Sequence, residues 1–216
     1  MCFGLIVVSF VIYQPMAKLV ATLGFLYLPE ASMRRRGEGF REYGVSLTPG
    51  RDEVRLTLTL LFVTVPLFIG GYWAFSEALP VLPKDVQGLI APYTGRPHFE
   101  FRLPDRFAEW GIDQYFVVAL PEEFFDRGFI QTRLRDAYPG GRTFLGARLG
   151  RAFWLTAILF ALGHLAIFQV WRLGVFFPAL MFGWLRERTG SVMGAAFLHG
   201  TFNLMVLVLE ASFYGR

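Results

Sequence analysis

The chain has 216 residues, of which 54% are hydrophobic, 17% aromatic and 18% charged, with a net charge of +4 and a mean hydropathy of +0.44. An ordinary soluble domain carries about a quarter charged residues, and here the apolar residues fall in long runs; this composition excludes a soluble enzyme and points to one membrane domain over residues 1–216. No Gly-rich phosphate loop, nucleic-acid module or internal repeat is visible, so nucleic acid is set aside as a partner, and the single Cys2, far from the other reactive side chains, sets aside a cysteine nucleophile.

A bilayer core of about 30 Å needs roughly 20 apolar residues in a helix. Residues 1–28 lack the basic start and clean cleavage site of a signal peptide and read as a retained helix, interrupted by Gln14, Pro15 and Lys18. Residues 56–79 form a second apolar run. The Pro-rich stretch 80–107 follows; its alternating residues 98–102 would suit a small hairpin or re-entrant piece, but its simplest role is connection. Residues 108–130 contain Asp113, Glu122, Glu123, Asp126 and Arg127. Such a segment is either an extramembrane helix or a span enclosed by others. The second is favoured, because intramembrane charges face a bundle interior or a water-filled cavity. Residues 152–171 are apolar around His164 and Gln169, 173–185 form a short or tilted span after a tight turn near Arg172, and 192–209 enclose His199 and Asn203. The expected fold is all-α, a polytopic transmembrane helix bundle of about six spans with a polar intramembrane cavity.

The connections suggest an orientation. Residues 30–55 hold six arginines, 126–151 hold six more and 186–189 two, whereas 80–107 hold four Lys/Arg and the other short turn holds Arg172. The positive-inside rule places the arginine-rich connections in the cytoplasm.

Three polar clusters interrupt the apolar runs: Glu122-Glu123 with Arg127, Phe160 with His164, and His199 with Asn203. Residues four apart share a helix face, and a charged group at a helix centre costs at least ~2.5–3.5 kcal/mol, so these residues need partners. At 1.5 Å per residue, His164 lies roughly 20 Å from Arg151, His199 roughly 12 Å from Ser191 and Glu122 roughly 16 Å from Arg133. All three reference points are on the expected cytoplasmic side, so the clusters converge on one level. No serine or cysteine is placed to pair with a histidine, which disfavours an acyl-enzyme. A buried carboxylate beside a histidine suits a general base, and a second histidine with an amide can donate to an oxyanion. Each residue also has a plainer reading: Glu123–Arg127 as a structural ion pair, His164 and Asn203 as interhelical hydrogen-bonding groups, Phe160 as packing.

These motifs, in this order, resemble the CAAX-protease and bacteriocin-processing (CPBP) family of glutamic-type intramembrane endopeptidases, whose pattern is Glu-Glu-x-x-x-Arg, Phe-x-x-x-His and His-x-x-x-Asn/Asp. The resemblance covers roughly residues 121–203, within an expected catalytic core of about 108–210. It implies that Glu122 activates water with help from His164, that His199 and Asn203 stabilise the oxyanion, that Glu123 and Arg127 form an ordering ion pair, and that Phe160 packs beside His164. It implies no cofactor and no metal. The substrate would be a membrane-anchored protein or peptide losing a terminal segment. In a bacterial inner membrane, bacteriocin maturation or trimming of a C-terminal sorting tail is expected ahead of prenyl-protein processing. Two alternatives stay open. One is a zinc metalloprotease with His164, His199 and a glutamate as ligands, against which stands the missing His-Glu-x-x-His signature. The other is a non-catalytic transporter or scaffold, against which stands the absence of a repeat.

Overall fold

The structure is a computed structural model, and it describes residues 14–90, 98–167 and 170–215. The first half of the 1–28 segment, with Cys2, and also Gln169 lie outside the described residues.

The described chain is almost wholly helical: α1 (Gln14–Arg36), α2 (Arg51–Ala78), a 3-10 turn (Leu79–Val81), α3 (Lys84–Ile90), α4 (Phe107–Ile112), α5 (Leu120–Glu123), α6 (Gln131–Ala137), α7 (Arg151–Gly163), α8 (Phe176–Thr189) and α9 (Met193–Tyr214). Two candidate spans stand out by length and apolarity, Arg51–Val81 and Met193–Tyr214. In the first, only 6% of the apolar window is buried inside the protein, and Phe62, Leu67 and Val63 point outward. A long helix with so much outward apolar surface is stable where its surroundings are as apolar as itself.

The polar segment that sequence reading enclosed within the bundle is one continuous helical rod. Its α4, α5 and α6 pieces are joined by two π-helical segments, Asp113–Ala119 and Phe124–Ile130, a form that occurs frequently at functional sites. Pro121 lies inside this rod and has no N–H to give to the Val117 carbonyl four residues back. Thr22 of α1 gives its hydroxyl to that carbonyl at 3.0 Å, so a neighbouring helix satisfies what the proline leaves open. The rod is held at its N-terminal end by the Lys18–Asp113 ion pair and by Tyr115 and Thr201, whose hydroxyls are 2.7 Å apart.

Two segments differ from expectation. The 152–171 segment is not one long helix: α7 ends at Gly163 and gives way to 3-10 turns at His164–Ile167 and Val170–Val175. The cause is local. The Phe160 carbonyl meets the ring Nδ1 of His164 at 2.9 Å, while the His164 backbone N–H turns to Ala161 and Leu162. The residue read as mid-span is therefore the helix terminator, and the next helix starts at Phe176 rather than 173. The other difference is a β-hairpin between α6 and α7 that the sequence reading did not contain. Strands β1 (Arg142–Phe144) and β2 (Ala147–Leu149) pair antiparallel with Arg142 opposite Leu149 and Phe144 opposite Ala147. Its two-residue turn, Leu145-Gly146, has φ of 46° and 78°. Both values suit the hairpin twist and favour Asn-Gly; a leucine there carries roughly 1–2 kcal/mol of strain.

Residues 98–102 form no hairpin. They run alongside the end of α9, where the His98 and Glu100 N–H groups donate to the carbonyls of Phe213 and Ser212, supplying partners that a helix C-terminus lacks.

The core lies between α2, α8 and α9, where Phe182, Leu185, Ala195 and Leu198 are buried together. Gly194 lets α9 approach α2: an added Cβ would meet the Thr57 hydroxyl at 2.4 Å, and the Gly194 N–H donates to buried Glu53 at 2.9 Å. The arginine-rich connections gather at one end. There Arg133 pairs with Glu38, Arg135 reaches Glu187 and the Val192 N–H donates to the Gly44 carbonyl.

Candidate active site

The site is built where α9 crosses the rod beside α7 and α8. Gly200 is the point of closest approach: a Cβ there would lie 2.4 Å from the Tyr115 ring. That closeness brings the preceding residue, His199, against the glutamate pair. Its Nδ1 donates to Glu123 Oε1 at 2.9 Å, and its Nε2 lies 3.9 Å from Glu122 Oε2. Glu123 also faces Arg127, with Nε 3.1 Å from Oε2, and both side chains are fully shielded. Glu123 thus links the arginine to the histidine. Sequence reading gave it the arginine alone, because i,i+4 spacing shows partners on one helix and not across helices.

Rings enclose the charges. The Arg127 guanidinium lies 4.1 Å from the Phe160 ring centre and 5.6 Å from that of Phe182. Phe182 stacks on His199 at 5.4 Å with planes 15° apart. Phe160 packs against both histidines, at 4.6 Å from His164 and 6.0 Å from His199. Phe182 was missed in the sequence, since nothing distinguishes it within an apolar run.

The structure therefore joins Glu122, Glu123, Arg127, His199 and Phe160 in direct contact, and His164 borders the group through Phe160. With Nδ1 on the Phe160 carbonyl, His164 keeps Nε2 without a hydrogen bond among the described residues. Asn203 lies one turn beyond His199 on α9; it is half-buried. Asp126, one turn from Glu122, is buried in the same cluster. Glu122 Oε2 is shielded yet has no hydrogen-bond partner among the described residues, an arrangement that asks for an incoming donor. Among the described residues, no group of three His, Cys, Asp or Glu side chains is placed to hold a metal ion. Clefts of about 590 and 400 Å³ lie elsewhere, at the hairpin end, lined among others by Arg142 and Arg151 or by Arg148 and Glu187.

An outward-facing apolar helix and a buried acid–histidine cluster on neighbouring helices define a helical membrane protein with acid–base groups in its interior. Residues 106–205 match the family model described as Rce1-like, type II CAAX prenyl endopeptidase Rce1-like, so over this stretch the chain is similar to that family. No curated protein and no solved structure shows a significant match. The family supports a CAAX-type peptidase in a membrane.

Proposed function

We propose that the protein is a multi-pass endopeptidase of a bacterial inner membrane that hydrolyses a peptide bond in a membrane-tethered substrate with water activated by Glu122. The observation that carries this reading is the unpartnered carboxylate oxygen of Glu122, 3.9 Å from His199 Nε2. Glu122 takes a proton from water, aided by the free Nε2 of His164, and the hydroxide adds to the scissile carbonyl carbon. The oxyanion is held by His199 Nε2–H and the Asn203 amide. Because Nδ1–H of His199 is given to Glu123, donation from Nε2 uses the imidazolium form. Glu122 then passes its proton to the departing amine, and the C–N bond breaks to give a carboxylate and an amine. Arg127 neutralises Glu123, so that Glu123 can orient His199. Zinc has no step in this sequence. The substrate segment removed is a terminal one, such as a C-terminal sorting tail.

The test compares membrane proteomes, tagged at their C-termini, from cells carrying the wild type or Glu122→Ala. A fragment present only with the wild type supports the reading and names the substrate. An unchanged cleavage pattern with a stable Glu122→Ala protein overturns the assignment of the base.

A further inference from the structure

The hairpin Arg142–Leu149 has no part in the site, yet its chemistry is particular. Its turn places Leu145 at a positive φ, where asparagine or glycine would sit without strain. Leu145 is 70% exposed and the adjoining Phe144 59%. In water this would be a poor turn twice over, strained and apolar. Around it, Arg142, Arg148 and Arg151 are exposed. They make no ion pair among the described residues, whereas Arg133 and Arg135 nearby are both paired. Glu187 lines a cleft with Arg148 but is engaged by Gln131 and Arg135. The tip also has a defined depth. Trp184 donates its indole N–H to the Phe144 carbonyl at 3.2 Å, and Trp184 lies five residues, or roughly 7 Å, before the end of α8 at Thr189. The hairpin therefore folds back along a membrane-directed helix to the level of a tryptophan, the residue enriched at the membrane–water boundary.

We propose that this hairpin is a lipid-binding foot: Leu145 and Phe144 seat in the interfacial layer of the bilayer, and Arg142, Arg148 and Arg151 hold the phosphates of anionic phospholipids. Charge complementarity selects this occupant, since an apolar tip ringed by uncompensated cations matches an anionic leaflet. The proposal rests on the membrane placement described above.

The test uses full-length protein with Cys2→Ser, spin-labelled at Leu145→Cys or, separately, at the lipid-facing position Phe62→Cys. The protein is reconstituted in vesicles of phosphatidylcholine with or without 30% phosphatidylglycerol by design. Collision with oxygen and with a water-soluble nickel complex gives depth. The expected result is a label at position 145 lying at the headgroup boundary when phosphatidylglycerol is present. Arg142→Gln, Arg148→Gln and Arg151→Gln should weaken this seating, each by about fivefold in partition. A label at 145 fully open to nickel, or at equal depth in both compositions, overturns the proposal. So does spin–spin broadening at 145 that vanishes on dilution with unlabelled protein, which would make a second copy the occupant. The label at 62 separates the two failures: 62 in hydrocarbon with 145 in water sinks the foot alone, while 62 in water sinks the membrane placement.

Discussion

Removing Arg127 should cost the protein a large share of its stability. Arg127 and Glu123 are both fully shielded and 3.1 Å apart, and the guanidinium lies over the Phe160 and Phe182 rings. In Arg127→Ala the glutamate stays behind as a buried charge without its cation, a change that commonly costs ~3–5 kcal/mol. The ring contacts, worth ~0.5–2 kcal/mol for a cation over a ring, fall within that range, because the same truncation removes them. Against a typical total of about 5–15 kcal/mol, the variant should unfold roughly 6–20 °C lower. Thermal unfolding in detergent, followed by intrinsic fluorescence, measures this. Two companions make the cause visible. Glu123→Gln with Arg127→Met removes both charges and should recover part of the loss, since neither partner is then left alone. Glu122→Ala, which breaks no close ion pair, should stay within about 1 kcal/mol of the wild type. If Arg127→Ala loses less than about 1 kcal/mol, or if the double variant is as unstable as the sum of its parts, the pair is not the anchor described here.

Two further outcomes are expected. Gly200→Ala should lose ~1–3 kcal/mol and most activity, because its methyl would fall 2.4 Å from the Tyr115 ring and push α9 off the rod; Tyr115→Ala in the same chain should restore stability, and unchanged unfolding of Gly200→Ala alone would refute the close approach. Cleavage by purified protein should survive exhaustive chelation; stoichiometric zinc whose removal abolishes cleavage would instead support metal-activated water.

The parts of the fold readable in the sequence were those written in hydropathy. The runs at 56–79 and 192–209 became the two helices long and apolar enough to span a bilayer. The polar rod could be placed because Glu122, Glu123 and Arg127 are too costly in an apolar helix without partners. What escaped was decided by contacts that spacing does not encode. His164 ends its helix by taking the Phe160 carbonyl, a choice invisible to any count of apolar residues. The hairpin turn carries Leu-Gly in place of Asn-Gly, so the usual signal for such a turn is missing. Within the site, the Glu123–Arg127 and Phe160–His164 pairs were legible, but the link from Glu123 to His199 spans 76 positions and depends on Gly200 permitting two helices to touch.

The two π segments have a consequence for how the chain tolerates change in length. Each hydrogen bond in a π turn spans five residues where an α turn spans four, so each segment carries slack of a residue, one before the glutamates and one after them. A single-residue deletion between Asp113 and Ala119 can be absorbed by returning that stretch to α geometry. The ends of the rod would keep their grips, on Lys18 at one end and on Glu38 through Arg133 at the other. The glutamates, lying beyond that stretch, would keep their phase and stay turned toward His199. The rod is thus forgiving of length inside its π segments: a chain shortened there by one residue can fold with its acid pair still facing His199.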